Sequence, residues 1–515
     1  MRFSLEGVIE LSRPIDFLKL DFPKIVAREI NSELFRKGVP SEQEGSRIVS
    51  WSIIGTRLLV TIEGTTYLRP HDALLRLRNY FTEKLGKHNV GVRRIFVKNY
   101  LIEFETRASD LKIRELVGNF AQVKMKGRRL TLIFENLEEK DLEQRFVENV
   151  LKEIKKLEPS EIVEEEKLAK YGHVLKRTKL KTIGFDKDVA ETAQKLGWIK
   201  RFPGRGQWIL LAPAAKLLYT LKDIIVNEIL KPLKFEEYIF PKLTSFEVMK
   251  KMPGYFEHLA EGMFYVSAPP REPLQFEEFK RYALLKKEIR GDLLKRILGE
   301  PEYVLAPAQC EPFYQLFSGE TVNAKDLPIK AYDFSGCTWR SEGGGVEGII
   351  RTTEFWRLEA VWLGLPEQSL ELRDVIIDKT FEVIDKILDL EARVVVGAPF
   401  YATEEMVRTT FVDISKSVNI PTLDVEVWLP YKGPRDKAEW LEVGAGTCAK
   451  TKYVDSFNIK EASGKEIWTG CMGFGLTRLL AGFLAQKGFE PDVWPLGMKK
   501  KIKKLPSPAK MVSWP

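Results

Sequence analysis

From about residue 300 onward the chain consists mostly of short apolar strand-like segments, with one long amphipathic helix at about 367–391. Parallel strands need a long crossover between them, usually a helix, whereas antiparallel strands are joined by short turns. Strands with so few intervening helices therefore favour an antiparallel sheet over a doubly wound parallel one. The predicted fold class is α+β.

Residues 469–488, TGCMGFGLTRLLAGFLAQKG, place a cysteine and two glycines before a helix. The apolar spacing predicts an amphipathic helix over 475–485, whose buried face would contain Leu476, Leu479, Leu480, Phe483 and Leu484. Arg478 lies in its first turn, where the helix dipole does not favour a cation. We therefore expect Arg478 to face a ligand, and Cys471 to face the same place.

Residues 339–364, WRSEGGGVEGIIRTTEFWRLEAVWLG, contain two strand-like pieces joined by a glycine-rich connection. Alternate strand residues share a face, so Arg340 would lie beside Glu342, and Arg357 beside Glu359. An antiparallel hairpin would bring all four together. Charge is costly to bury, so this pattern indicates a functional site, with a structural ion-pair network as the alternative.

Histidine and cysteine usage narrows the chemistry. The last of four histidines is His258, which excludes a Ser-His-Asp hydrolase confined to the C-terminal half. The four cysteines, at 310, 337, 448 and 471, are too few and too scattered for a disulfide framework and form no CxxC metal motif.

Composition indicates a cytosolic globular protein. The sequence contains no apolar run long enough to span a bilayer, and its first residues lack the apolar segment of a signal peptide. No membrane association is expected. The net charge of +8 is compatible with a polyanionic partner.

The N-terminal part is predicted to be a separate α+β domain. Residues 123–134 form a predicted hairpin with a basic tip, and nearby cations lie at Arg93, Arg94, Lys98, Arg107, Lys112 and Arg114. Such a surface could dock on nucleic acid phosphates or be a solvated face. Charged, helix-prone residues 138–182 would lead to the larger domain. We place the domains at 1–165 and 166–515, with a helical insertion at about 270–300.

Three motifs identify a resemblance. Pro241 after an apolar strand, the R-x-E at 340–342 and the G-x-G-x-x-R at 473–478 occur in the order of the three motifs of class II aminoacyl-tRNA synthetases. The segments APAQCEPFYQLFSGE, WRSEGGGVEGIIRTTEF, IPTLDVEVWLPYKGPRDKAEWLE and TGCMGFGLTR further resemble the methanogenic-type (type-2) seryl-tRNA synthetases. This resemblance covers about 180–500 closely and the N-terminal domain more loosely.

The resemblance implies a class II antiparallel catalytic sheet flanked by helices and an N-terminal tRNA-binding domain. It also implies ATP-dependent activation of L-serine and its transfer to the 3' end of tRNA(Ser), and also of tRNA(Sec). A cytoplasmic homodimer is expected, with Pro241 at its interface and the helical pair at 272–298 supporting the dimer and the tRNA contact.

By the same resemblance, the chain would bind one zinc ion per subunit through Cys310, Glu359 and Cys471. Three protein ligands leave a fourth position, which in this family the substrate α-amino group fills. The nonlocal spacing of these three residues would not by itself have indicated a metal site.

The other roles are also carried over by motif. The catalytic residues would be Arg340, Glu342 and Arg478, with Arg340 on the α-phosphate and carboxylate and Glu342 on adenine or the tRNA end. Mg²⁺ would accompany ATP, held in part by Glu442. The ATP-binding set is Arg340, Ser341, Glu342, Arg351, Thr352, Phe355, Glu442 and Arg478. The serine-binding set is Ala308, Arg340, Arg357, Leu358, Glu359 and Ala445.

Two positions depart from the family pattern. Ala445 stands where the family has an asparagine that contacts serine, and Thr477 where the third motif usually has glutamate. A neighbour such as Thr447 could take over the lost role. Alternatively, the chain is a diverged paralogue with a different amino-acid preference or a non-tRNA acceptor.

The sequence also bears on two rival functions. A threonyl-type synthetase holds its zinc with two histidines, and the C-terminal half has none. A synthetase-derived module that only binds a nucleotide or RNA is motivated by Ala445, but the N-terminal domain argues against it.

Overall fold

The computed structural model describes residues 1–15, 21–39, 44–157, 167–341, 345–399, 402 and 404–508. Backbone contacts divide the chain into two compact units, Met1–Val163 and Glu164–Pro515.

The first unit is built on a six-stranded antiparallel sheet with the spatial order β2-β3-β1-β4-β6-β5. Its strands are β1 Arg2–Leu11, β2 Arg47–Ile54, β3 Arg57–Gly64, β4 Val92–Glu105, β5 Gln122–Lys126 and β6 Arg129–Glu138. Its helices are Phe22–Lys24, which continues as a π-helix over Ile25–Leu34, then Pro70–Gly86, Asp110–Val117, Glu139–Glu143 and Phe146–Lys156. The hairpin predicted at 123–134 is confirmed as β5 and β6.

Helix Pro70–Gly86 covers one face of this sheet because its apolar residues recur at helical spacing. The buried residues of this helix include Ala73, Leu74, Leu77, Phe81 and Leu85. Its close approach to the sheet is visible at Gly7 of β1, where any Cβ would contact the Leu74 side chain.

A buried ion cluster joins helix Pro70–Gly86 to helix Phe146–Lys156. Glu148 Oε1 lies 2.8 Å from Arg69 Nη1 and 2.5 Å from His71 Nε2. His71 Nδ1 lies 3.0 Å from the Tyr100 hydroxyl. Burial alone would raise the pKa of Glu148, but the hydrogen bond and charge of His71 and the charge of Arg69 outweigh it and lower this pKa to about 2.

Replacing Glu148 with glutamine is expected to lower the free energy of unfolding by about 3 kcal/mol, because it removes one partner of a buried ionic cluster. Since the folded-state pKa of about 2 lies below the unfolded value, this stabilisation is present above about pH 4.3 and is lost as the pH falls toward 2. Calorimetry between pH 2 and 7 measures both effects.

Glu143→Gln is the control, because Glu143 pairs with Arg78 at an exposed position, where an ion pair contributes at most about 1 kcal/mol. Equal unfolding temperatures for the two variants at pH 7 would contradict the assigned role of Glu148.

The second unit is built on a larger sheet with the spatial order β8-β9-β11-β15-β14-β13-β12-β7, and β10 also pairs with β11. Its strands are β7 Val174–Arg177, β8 Glu236–Glu237, β9 Ile329–Asp333, β10 Cys337–Trp339, β11 Glu354–Gly364, β12 Ala392–Gly397, β13 Thr422–Val427, β14 Leu441–Lys450 and β15 Trp468–Gly475. The antiparallel prediction is confirmed, and only the short edge pairing of β8 with β9 is parallel among the described strands of this sheet.

Small sheets surround this large one. They comprise the hairpin Ile199–Arg201 with Trp208–Leu210, the three strands Leu243–Ser245, Tyr265–Val266 and Tyr303–Leu305, and the pairs Thr321–Val322 with Lys460–Glu461 and Leu168–Lys170 with Phe411–Asp413. The α-helices of the unit are Val189–Lys195, Ala212–Ile225, Phe246–Met249, Tyr255–His258, Glu277–Leu285, Gly291–Ile297, Glu311–Leu316, Pro366–Glu382, Glu404–Thr409, Lys452–Ser456, Leu476–Lys487 and Leu496–Ile502.

The helices predicted from sequence are found. The 367–391 segment is helix Pro366–Glu382 with a π-helical continuation, Val383–Ile387. The glycine-rich segment leads into helix Leu476–Lys487, and the 272–298 segment contains Glu277–Leu285 and Gly291–Ile297. In the part of the chain that is described, no helix combines the length and apolarity needed to cross a bilayer.

One face of the large sheet packs on helices Pro366–Glu382 and Leu476–Lys487. That face buries Leu358, Met472 and Phe474 in the main core of the unit. Because side chains alternate along a strand, Arg357, Glu359, Cys471 and Gly473 point to the opposite face. The candidate site lies on this second face.

Candidate active site

Register brings the second-face residues of four strands into rows. Gly473 of β15 lies opposite Glu359 of β11 on one side and opposite Ala445 of β14 on the other. Cys471, two residues earlier on the same face, lies opposite Thr447 of β14. Directly opposed residues share a face and have close side chains, so these residues form one continuous surface.

Two cysteine thiols meet on this surface. Cys310 comes just before helix Glu311–Leu316 and is buried. A hydrogen bond with the Cys471 thiol, followed by burial, raises the pKa of the Cys310 thiol well above its usual value. Residues distant in sequence therefore place two thiols side by side.

Glu359 adds a carboxylate to the two thiols. Its side chain is fully buried, and burial raises its pKa against the opposing charge of Arg357. Arg357 Nε lies 2.6 Å from Glu359 Oε2. This contact is an ion pair, and the Cys471 thiol lies close enough to the Glu359 carboxylate to lower its pKa against the effect of burial. Neither carboxylate oxygen accepts a well-aligned hydrogen bond from the described residues.

The donor set fits a zinc ion. Two thiols and a buried carboxylate are ligands that zinc accepts, and a bound cation would offset the cost of burying their charged forms. The ligand atoms of Cys310, Glu359 and Cys471 do not all lie within 4.8 Å of one another. Among the described residues, the group whose ligand atoms all lie within 4.8 Å of one another is His71, Asp72 and Glu148 in the first unit. In that group Glu148 already forms an ion pair with Arg69, so its negative charge is compensated without a metal ion.

Gly473 makes room for the Arg357 side chain. A Cβ at position 473 would overlap the guanidinium group of Arg357. The glycine is therefore required for close side-chain approach across the sheet. This is the reason that the sequence pattern needs a glycine two residues after Cys471.

Hydrogen bonds to neighbouring backbone position Arg340 at the edge of the site. Its backbone N–H donates to the Thr353 carbonyl, which extends the pairing of β10 with β11 by one step. Its Nη2 donates to the Pro307 carbonyl at 2.9 Å, next to the buried Ala308. The adjoining Ser341 N–H donates to the Gly262 carbonyl. Phe355 of β11 has the same strand parity as Arg357, so both belong to the second face.

Arg478 connects three predicted ATP-binding positions. Its Nε donates to the carbonyl of Ile350, the neighbour of Arg351, at 3.2 Å, and its Nη1 lies 3.5 Å from Glu442 Oε2. Arg351 Nη2 lies 3.3 Å from Glu439 Oε1. Arg351, Glu442 and Arg478 are therefore gathered at one end of the second face.

Two predicted residues are placed differently, and a third cannot be compared. Leu358 is fully buried in the core of the helix-covered face. Thr352 lines a cavity of about 240 Å³ together with Glu354 and Trp356. Because side chains alternate along a strand, Glu354 and Trp356 point to the face opposite to that of Arg357. Glu342 lies outside the described residues.

The two departures from the family pattern have different surroundings. Ala445 lies between Gly473 and Asp424 on the second face and offers no polar atom there. Thr477 is buried, and its hydroxyl accepts a hydrogen bond from the Trp356 backbone N–H at 2.9 Å. Thr477 thus ties helix Leu476–Lys487 to strand β11.

Sequence reasoning missed two acids here, the fully buried Glu311 and the half-buried Asp424. Glu311 follows Cys310 directly, and burial raises its pKa to about 7. Asp424 lies opposite Ala445, and burial together with the charges of Glu442 and Glu426 raises its pKa well above the usual range. Glu311 could have been found from the sequence, because it directly follows the candidate ligand Cys310. The placement of Asp424 could not, because it depends on strand register.

Family models match both units. A model described as a tRNA-binding domain matches residues 1–156, and the model of the tRNA synthetase class II core domain (G, H, P, S and T) matches residues 295–487. The two matches agree with the α+β first unit and the antiparallel sheet of the second.

Relatives match over the full length. The type-2 serine–tRNA ligase of Methanocaldococcus jannaschii is 40% identical over all of this chain and 99% of that protein. That of Methanopyrus kandleri is 37% identical with the same coverage. A crystal structure of A. aeolicus tRNASec in complex with M. kandleri SerRS matches with a TM-score of 0.63 and 37% identity, over all of this chain and 99% of that one. The chain therefore belongs to the type-2 serine–tRNA ligase family, with a class II synthetase core.

Proposed function

We propose that this protein activates L-serine with Mg²⁺–ATP and transfers it to the 3' end of tRNA(Ser), and also of tRNA(Sec). One observation carries the proposal. Two adjacent thiols, Cys310 and Cys471, meet the buried carboxylate of Glu359 on the face of a class II sheet that also holds Arg340 and Arg357.

Cys310, Glu359 and Cys471 would hold one zinc ion per subunit. When bound, zinc would supply a Lewis-acidic fourth position for the α-amino group of serine. Arg357 would favour the ionised form of the buried Glu359, because its charge opposes the upward effect of burial on the pKa of Glu359. Arg357, with Ala308 beside Arg340, would line the rest of the serine pocket.

ATP would bind at the end where the arginines gather. Arg340 would contact the carboxylate of serine and the α-phosphate, so that the two reacting groups are positioned and their repulsion is reduced. Arg351 and Arg478 would hold the outer phosphates, and Glu442 would share in binding Mg²⁺. Phe355 would stack on adenine, Ser341 and Glu342 would complete that side, and no histidine is required.

We place tRNA binding in residues 1–165 and catalysis in residues 166–515. Support for the first assignment is the tRNA-binding model at 1–156. A homodimer with Pro241 at its interface and a cytoplasmic location complete the proposal, since charging of tRNA takes place where translation does.

The first test is ATP–pyrophosphate exchange with each of the twenty amino acids, before and after the metal is removed. We expect exchange with serine, its loss on chelation, and its recovery with zinc. Aminoacylation of tRNA(Ser) and tRNA(Sec) transcripts then tests the second step. Serine exchange that survives complete metal removal would contradict the zinc assignment.

A diverged paralogue is the second candidate function, and Ala445 is the observation that favours it. An alanine there presents no hydrogen-bonding group to a substrate hydroxyl. Exchange with an amino acid other than serine in the same experiment would support this candidate.

A further inference from the structure

A turn of the chain contacts the connection between strands β10 and β11, which carries Arg340. Residues 202–207, FPGRGQ, form this turn within the hairpin of strands Ile199–Arg201 and Trp208–Leu210. The hairpin is anchored in the main core of the unit, where Trp198 is buried immediately before its first strand. The turn therefore extends from a packed base to the residues around Arg340.

Gly206 of this turn bonds to the same residue as Arg340. The Gly206 carbonyl accepts a hydrogen bond from the Thr353 N–H at 3.0 Å. The Thr353 carbonyl in turn accepts one from the Arg340 N–H at 2.9 Å. Two consecutive hydrogen bonds through Thr353 therefore link the turn to the backbone of Arg340.

The close approach at Gly206 leaves no room for a side chain. A Cβ there would lie 2.5 Å from Val346 Cγ1 and 2.7 Å from Thr353 Oγ1. Gly206 also has a φ of +65°, in the left-handed region that favours glycine. The turn therefore fits between two residues of the connection, Val346 and Thr353, at contact distance.

The neighbouring Gln207 supplies a second link. Its Nε2 donates to Glu354 Oε2 at 2.9 Å. Glu354 lies opposite Trp339, the residue before Arg340, in the pairing of β10 with β11. The cavity of about 240 Å³ described above lies beside this contact, lined by residues of the hairpin and of β11. Because a cavity rather than packed side chains adjoins the contact, few groups hold the turn against the strand.

The part of the chain before this hairpin supports the connection at a second point. Ala190 packs on Gly348, where a Cβ would lie 3.0 Å from the Ala190 Cβ. Ile349 and Ile350, which follow, are buried in the main core of the unit. The segment 346–353 is thus held by residues that lie outside the candidate site.

We propose that Gly206 and Gln207 are positioning residues for the activation step. Through Thr353 and Glu354 they fix the backbone at Arg340, whose guanidinium would contact the reacting carboxylate and the α-phosphate. The proposal rests on the proposed function, from which the role of Arg340 comes, and it adds two residues that touch no substrate. A displacement of about 1 Å at a positioning group can cost about a hundredfold in rate.

The first test is Gly206→Ala in amino-acid-dependent pyrophosphate exchange, with active sites counted by the amount of aminoacyl-adenylate formed at completion. The added Cβ forces Thr353 away, so we expect kcat per active site to fall about a hundredfold. The zinc content stays unchanged. Lost stability alone would lower the number of active sites and the unfolding temperature but leave kcat per site at the wild-type value.

Gly464→Ala is the matched control. Gly464 also has a left-handed φ, of +79°, but a Cβ there would meet no atom within 4 Å. This variant introduces the same kind of backbone strain without displacing a neighbour, so its kcat per active site should equal that of the wild type. An equal loss in both variants would overturn the proposal, because backbone strain would then account for it.

An exchange of partners tests the second link. Gln207→Glu sets two carboxylates against each other, and their repulsion should lower kcat per active site about tenfold. The double variant Gln207→Glu, Glu354→Gln again pairs an amide with a carboxylate and should recover most of that loss. A side chain that only fills space gives no such recovery.

Wild-type kcat per active site in both Gly206→Ala and Gln207→Glu would overturn the proposal, as would a loss in Gln207→Glu that the double variant does not recover. Failure of the proposed function gives a different result, namely a wild-type protein without amino-acid-dependent exchange.

Discussion

Replacing Cys471 with serine is expected to remove the bound metal and to reduce serine-dependent pyrophosphate exchange by about a thousandfold. The loss corresponds to several kcal/mol of transition-state stabilisation by a Lewis acid. A hydroxyl is a far poorer zinc ligand than a thiolate. The Cys471 thiol is also the neighbour with the largest effect on the pKa of the Cys310 thiol, so the two lie close together. Metal analysis of the purified protein and exchange kinetics measure the two effects.

Cys337→Ser is the matched control. Cys337 is also buried, but it faces Glu354, which together with burial raises the pKa of the Cys337 thiol to about 12. This variant should keep its metal and its activity. If Cys471→Ser kept full metal content and full serine activation, the zinc assignment would be wrong.

Replacing Gly473 with alanine should be nearly as damaging to catalysis. The new Cβ would overlap the guanidinium of Arg357, which must move away from Glu359. A displacement of about 1 Å at a positioning group can cost about a hundredfold in rate. We therefore expect a hundredfold fall in kcat/KM for serine, with a folded protein by circular dichroism.

Alanine substitutions at two other glycines are controls that distinguish displacement of Arg357 from destabilisation of the whole fold. At Gly299 a Cβ would meet no atom within 4 Å, so Gly299→Ala should have wild-type activity. At Gly470, on the helix-covered face, a Cβ would overlap the buried Trp362 ring, so Gly470→Ala should lower the unfolding temperature. Wild-type kinetics in Gly473→Ala would show that Arg357 does not position serine.

The cluster of Arg69, His71, Tyr100 and Glu148 illustrates what sequence reasoning missed. His71 and Glu148 come from two helices, Arg69 directly precedes the first of them, and Tyr100 comes from strand β4; none stands in a motif. Their hydrogen bonds depend on how the helices pack on the sheet, and no local periodicity encodes that packing. The paired Thr422 and Thr447 belong to the same class, because only the register of β13 with β14 opposes them.

The local spacing of apolar residues determined the types of secondary structure. The scarcity of helices between apolar segments predicted an antiparallel sheet, and apolar spacing predicted helix Leu476–Lys487, because periods of 2 and 3.6 are read from neighbouring residues alone. Motif order indicated the family, which the full-length relatives show.

Only the tertiary structure decided which of the motif residues meet. Strand register placed Cys471 beside Thr447 and Glu359 beside Gly473, and alternation sent Leu358 into the core although Arg357 and Glu359 flank it. A shift of one residue in register would turn every one of these side chains to the other face. The sequence alone therefore determined the helices, the strands and the family. The contacts of the site depend on pairings between strands that lie far apart in the chain. Those pairings are selected because only the correct register buries the apolar side chains of one sheet face.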